Sequence, residues 1–321
     1  MTTQSTKHNW WVHIIFLFIL VSLFAFAALY RTSDAITAIS WGTRQRLCLY
    51  TSTFCSINRA GLTVNFGVYD PQSEFSSSSR VAFDHYFFDW RESVDLASTL
   101  KSGRWPLVTI EPWVEDEKRH TLLSDIASGT YDSRISDTCR GLGSYNHPIF
   151  VRFSHEMERV TGRYPWAVED TAQFIQAYRH FVTLCRQDLP ESYYVWSPAG
   201  EENSESYWPG HEYVDYVGLS IYHLPEYEKK TYGRTQSFLD LFTPKYNRVK
   251  QFDKPIILAE FGVIGEKSYQ IGWLHQALTD LTAYPDVKTL VYFNAKDTPG
   301  VWGKDLATPD WHIDSQVFSF Q

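Results

Sequence analysis

The feature that most limits what this chain can fold into is a rhythm. From Leu62 onward, short β-branched or aromatic runs alternate with stretches whose apolar residues recur every three or four positions. Eight runs read as strands: 63–69, 85–88, 107–111, 148–155, 193–197, 214–221, 255–259 and 289–293. Between them, residues 170–186 (DTAQFIQAYRHFVTLCR) and 270–283 (QIGWLHQALTDLTA) show helical spacing. Strand alternating with helix implies parallel pairing, and eight such units close into a (β/α)₈ barrel, which takes about 250 residues. An open doubly wound sheet would want a glycine-rich phosphate loop after the first strand, and the sequence there, NFGVYDPQSE, has none. The expected fold class is therefore α/β, a (β/α)₈ TIM barrel over residues 59–321.

In such a barrel the chemistry sits at the C-terminal ends of the strands. The fourth run ends in Arg152-Phe153-Ser154-His155-Glu156, and a side-chain period of two puts Arg152, Ser154 and Glu156 on one face. The seventh is apolar until Glu260 and turns at Gly262. A glutamate ending a buried strand is costly unless a partner holds it charged or its protonated form is wanted. One such residue is more often a loop cap or a surface ion pair. Two, at strands that face each other across a barrel mouth, match the needs of glycosidic bond cleavage. One carboxylic acid protonates the leaving oxygen, and a second carboxylate attacks the anomeric carbon or activates water.

The segment from Arg152 to Met157, followed by Tyr164-Pro165-Trp166, resembles the acid/base region of glycoside hydrolase family 26. That family groups β-mannanases, mixed-linkage β-glucanases and some β-1,3-xylanases. Trp196-Ser197-Pro198, Tyr207-Trp208-Pro209-Gly210, Lys254-Pro255 through Glu260-Phe261-Gly262, Glu111-Pro112-Trp113, Tyr292-Phe293-Asn294 and Asp310-Trp311 are similar to its other strand-end segments. The resemblance implies Glu156 as general acid then base, and Glu260 as nucleophile. It implies His155 as a contact to the sugar beside the cleaved bond, though a histidine at a strand end can also simply pack. Tyr222, closing strand six, would donate a hydrogen bond to the nucleophile. Arg152 would hold a carboxylate charged or form an interior ion pair. Trp113, Trp166, Trp208 and Trp302 fall on rim loops, as sugar platforms or as packing residues.

The activity so implied is that of an endo-acting retaining β-glycosidase on a β-linked polysaccharide, β-1,4-mannan or β-1,3-1,4-glucan. A transglycosylase, or a non-catalytic accessory acting on an exported polysaccharide, is the alternative. No metal or organic cofactor is implied, since two carboxyl groups suffice. One departure stands out. The family usually follows its acid with Met-Asn-Gly and an aromatic, whereas here the loop is Met157-Glu158-Arg159-Val160-Thr161-Gly162-Arg163-Tyr164, longer and charged.

Composition narrows the partners. The formal net charge is −8 and no basic stripe interleaved with aromatics appears, which argues against nucleic acid. Aromatic residues make up 17 %, with 12 Trp, enough to line a sugar cleft as well as a core. Residues 10–30 (WWVHIIFLFILVSLFAFAALY) are long and apolar enough to match a bilayer, so residues 1–30 are expected to be a membrane anchor or signal segment. Residues 31–58 would be a tether. Counting Arg31, Arg44 and Arg46 against Lys7 would put the domain in the cytoplasm. An exported polymer as substrate argues instead for an extracytoplasmic domain near polysaccharide export machinery, or a secreted one if the segment is cleaved. Of the cysteines, Cys48–Cys55 and Cys139–Cys185 is the favoured pairing, against free buried thiols.

Overall fold

The computed structural model describes residues 64–92, 104–145 and 148–315. The chain divides into Met1–Phe54 and Cys55–Gln321, and every described residue lies in the second unit. Its strands are β1 (Asn65–Tyr69), β2 (Phe83–Asp89), β3 (Trp105–Glu111), β4 (Phe150–Phe153), β5 (Tyr193–Trp196), β6 (Tyr216–His223), β7 (Ile256–Val263) and β8 (Val287–Phe293). Each pairs in parallel with the next, and β8 returns to β1, closing a barrel without an open edge. The described α-helices are α1 (Leu122–Ala127), α2 (Asp132–Gly143), α3 (Thr171–Asp188), α4 (Pro225–Tyr232), α5 (Phe238–Val249) and α6 (Lys267–Asp280). All eight expected strands are present, with shifted ends.

Local signals account for the helix starts. Asp170 caps α3 by accepting from the Gln173 N–H at 3.1 Å. Ser237 and Asp240 form a reciprocal capping box on α5. The main core lies between strands and helices, where Val108, Ile110, Val151, Phe153, Leu219 and Ile221 point outward. Phe153 stacks on Phe181 of α3 with ring centroids 3.8 Å apart. Alternate residues face the barrel interior, where Arg152 donates to Ser197 Oγ at 2.8 Å and to Thr109 Oγ1 at 3.3 Å. Cys139 of α2 and Cys185 of α3 form a disulfide, while Cys48 and Cys55 lie outside the described residues.

Two departures from strict alternation aim the strand-end glutamates. β4 ends at Phe153 rather than His155, and Ser154 and Glu156 both take left-handed backbone angles, φ 52° and 53°. Each such residue costs about 1–2 kcal/mol when it is not glycine. The turn is held by the Ser154 N–H donating to Ile110 O and the Glu156 N–H donating to Ser197 O, at 3.2 and 2.8 Å. On β7, Ile256 and Leu258 belong to the outer core, and so do Phe261 and Val263, a change of phase by one residue. The register with β6 runs Leu219↔Leu258 and then Ser220↔Glu260, skipping Ala259, and the register with β8 shifts across the same stretch. Without this bulge, period two would turn Glu260 outward with Ile256 and Leu258.

The N-terminal expectation needs correcting. Among the described residues no helix is long and apolar enough to cross a membrane. The longest, α3, is amphipathic, with Gln173, Gln176, Arg179 and Arg186 lying off its buried apolar face. Residues 10–30 and the tether at 31–58 lie outside the described residues. The membrane anchor, the membrane partner and the tethered location are therefore withdrawn.

Candidate active site

The bulge brings the Glu260 carboxylate to the inner face, where two donors meet it. Arg152 Nη1 donates to Oε1 at 2.7 Å and the Tyr222 hydroxyl donates to Oε2 at 2.6 Å. The Arg152 side chain is fully buried, and Thr109 and Ser197 fix its direction. A buried charge is tolerable only when so paired, because each ion loses several kcal/mol of hydration. Burial pushes the Glu260 carboxyl up, and the charge of Glu156 adds to that; Arg152 and Tyr222 pull the other way.

Glu156 is almost wholly buried at the end of the β4 turn. Burial alone would raise its carboxyl, but the Arg159 guanidinium above all, with the Ser220 hydroxyl and Arg152, outweighs it and brings it down to about 2. Arg159 Nη1 donates to Glu156 Oε2 at 3.1 Å, and Arg159 Nε lies 3.3 Å from Glu201 Oε1. The next acidic residue, Glu158, turns away and accepts the N–H groups of Gly200 and Glu201 at 2.8 and 3.1 Å. The charged loop thus clamps one carboxyl and ties itself to the loop after β5.

The other expected site residues separate into two groups. Tyr222 and Trp302 line a cavity of about 520 Å³ together with Glu156 and Arg159. The Trp302 indole packs edge-on against Tyr222 and Tyr227, at 5.6 and 5.3 Å between centroids. His155, Trp113 and Trp166 do not line it and gather instead around Tyr164. His155 is buried, with Nε2 3.3 Å from the Tyr164 hydroxyl, and burial with Arg152 nearby keeps its ring neutral. Trp166 is fully buried; its N–H donates to His155 O at 2.7 Å and its ring stacks on Tyr164 at 4.6 Å, so it offers no open face to a sugar. Trp113 is half-buried against Trp166. Trp208 stacks on Phe252 at 4.1 Å as a packing residue.

Three participants were not singled out from the sequence. Glu111, closing β3, accepts from Trp113 Nε1 at 3.2 Å, and burial pushes its carboxyl up to about 7. Its position at a strand end was a usable signal. Asp297 accepts from the indoles of both Trp302 and Trp311, at 2.8 and 3.1 Å, and so orients the rim tryptophan. Arg159 carried no signal beyond its place in a charged loop.

A closed parallel barrel with one carboxyl at the end of β4 and another on β7, each held by an arginine, is an arrangement that two-carboxyl glycosidic bond cleavage could use. Comparison with known proteins gives a family likeness over part of the chain. Residues 122–256 match the model of Glycosyl hydrolase family 26, a stretch that contains Glu156 and stops short of Glu260. Endoglucanase H of Acetivibrio thermocellus is 27% identical over 253 residues, covering 72% of this chain and 26% of that protein. A β-1,3-xylanase of a Vibrio species is 27% identical over 107 residues, covering 31% of this chain and 22% of that one. The chain thus spans about a quarter of the length of these curated relatives. Among solved structures, a family 26 β-mannanase from Bacteroides ovatus superimposes with a TM-score of 0.57 at 15% identity, covering 74% of this chain and 82% of that one. The likeness to Glycosyl hydrolase family 26 thus covers residues 122–256, and the solved structures share the barrel fold.

Proposed function

We propose that this protein is an endo-acting, retaining β-glycanase, with a β-linked mannan or β-glucan as substrate. The observation that carries the reading is the treatment of Glu260. A bulge turns it inward, and a buried arginine and a phenol each donate to one of its oxygens, the environment of a carboxylate that must stay ionised to attack. In this reading Glu260 attacks the anomeric carbon while Glu156 delivers a proton to the leaving oxygen. Glu156, now ionised, takes a proton from water, which attacks the same carbon and releases Glu260. Two inversions give net retention. The Trp302 ring beside Tyr222 would stack on a bound sugar, with Asp297 holding its angle.

Relatives named as an endoglucanase, a β-1,3-xylanase and a β-mannanase support a β-linked polymer and leave several sugars open. A panel of mannan, glucomannan, lichenan, β-1,3-xylan and cellulose, with product sizes measured, identifies it. Glu260→Ala should abolish turnover and be partly rescued by azide as an inverted (α) glycosyl azide. Full activity in every Glu260 variant would sink the assignment.

A further inference from the structure

The ion pair on Glu156 conflicts with a proton-donating role. A residue that must hand over a proton is clamped by a cation, and the clamp comes from the loop in which this chain departs from the pattern it otherwise resembles. Arg159 is three residues along from Glu156, on the same tight turn, and its side chain is 24% exposed at the wall of the cavity. It has two acidic partners, Glu156 at 3.1 Å and Glu201 at 3.3 Å. Glu201 is half-exposed and also lines the cavity, so one arginine can move between a buried partner and an open one without losing its ion pair. Glu156, Arg159 and Glu201 line this cavity, while Glu260 does not and reaches it only through Tyr222, so the space adjoins the acid and its clamp.

Resting on the assignment of Glu156 as acid and Glu260 as nucleophile, we propose that Arg159 is a positioning residue for the leaving-group side of the reaction. In the empty cleft it clamps the Glu156 carboxylate. A sugar that fills the cavity displaces it onto Glu201, so only glycans long enough to reach the cavity meet a Glu156 free to be protonated. This is substrate-driven assembly of the acid, which ties chemistry to chain length.

The other groups around Glu156 do not substitute for the clamp. From its own strand end, Arg152 is committed to Glu260 and His155 is neutral. From β6 and β7, Tyr222 and Glu260 are bonded to each other, and Ser220, which also favours the Glu156 carboxylate, is uncharged. Tyr164 and Glu158 flank it in the loop, and Glu158 is engaged by backbone N–H groups. From α5, Lys245 spends its donors on Ala199 O and Ser220 O, at 2.7 and 2.8 Å. Arg159 is the cation that can leave.

The test uses the full chain and the manno- or gluco-configured series that the polysaccharide panel selects. Three probes are compared: a 2,4-dinitrophenyl β-bioside, whose leaving group needs no proton; a methyl β-bioside, which needs one but leaves the cavity empty; and the hexasaccharide. Arg159→Gln should speed the methyl bioside about 10-fold or more and raise its pH optimum by about half a unit or more, since a cation at this distance is worth about 1–3 pKa units. The dinitrophenyl rate should stay within about twofold. Glu201→Gln, which removes the exposed partner, should slow the hexasaccharide and spare the dinitrophenyl bioside. Equal slowing of all three probes by Arg159→Gln with no pH movement overturns the clamp, as does a hexasaccharide rate unchanged by Glu201→Gln. If Arg159→Gln does not fold, the Glu201→Gln arm decides alone. Turnover that survives both Glu156→Ala and Glu260→Ala would instead refute the assignment of the two glutamates itself.

Discussion

Replacing Tyr222 with phenylalanine removes one oxygen from the surroundings of Glu260 and leaves the ring where it is. That oxygen donates to Glu260 Oε2 at 2.6 Å, a charge-assisted hydrogen bond in a buried setting. Hydrogen bonds to charged groups are worth about 1.5–3 kcal/mol, so kcat/KM should fall about 10- to 150-fold if the bond is retained into the transition state. The same energy appears as a pKa change. With the phenol gone, Arg152 is left as the main group opposing burial, and the Glu260 carboxyl rises further. The acid limb of the pH–rate profile, which in the proposed mechanism reports ionisation of Glu260, should move to higher pH. The ring still packs against Trp302, Trp311 and Phe293, so the thermal midpoint should change little. Steady-state kinetics from pH 4 to 8 with a soluble oligosaccharide supplies both readouts. A kcat/KM within twofold of the parent and an unmoved acid limb would refute the argument that this phenol keeps Glu260 charged.

Other perturbations test the frame around the site. A Cβ at Gly262 would lie 2.7 Å from the Tyr222 ring and 2.9 Å from Trp311, so Gly262→Ala should cost about 1–3 kcal/mol in denaturant unfolding and lower activity by displacing Tyr222. The Cys139–Cys185 disulfide closes a sequence separation of 46 residues. Loop entropy allows it about 4 kcal/mol at most, and Cys139→Ser with Cys185→Ser should lower stability by about 2–4 kcal/mol while leaving KM unchanged. Glu111 has a folded pKa raised to about 7, above its unfolded value, so the native state binds the extra proton and stability is lost as pH rises from about 4.5 to 7. Glu111→Gln should remove about 3 kcal/mol of that loss, seen as a smaller drop in urea midpoint between pH 4.5 and 8 than in the parent. An equal drop in both proteins would show that Glu111 is not the group responsible.

Much of the architecture is legible without coordinates because it rests on local periodicity. Outward residues of β3, β4 and β6 alternate with inward ones, the helices between them repeat every three or four positions, and Asp170 and Ser237 mark helix starts in the sequence itself. Strand count and the two glutamates near the ends of β4 and β7 come from that periodicity. Fine placement does not. Period two carries Arg152 onward to Glu156, yet β4 stops at Phe153 and two left-handed residues set the carboxyl's direction. Period two would also turn Glu260 outward, and a bulge at Ala259 reverses it. A bulge is a property of two strands in register, so one strand's side-chain order cannot reveal it. Tertiary contacts also decided that Trp166 is buried under Tyr164 while Trp302 lines the cavity, although both sit in loops of similar composition. The chain alone thus determined an eight-stranded barrel with a carboxyl-bearing β4 end and β7. Only the folded molecule decided that Arg152 and Tyr222 converge on Glu260 and that Arg159 closes on Glu156, because those partners are set by register and loop closure between distant segments.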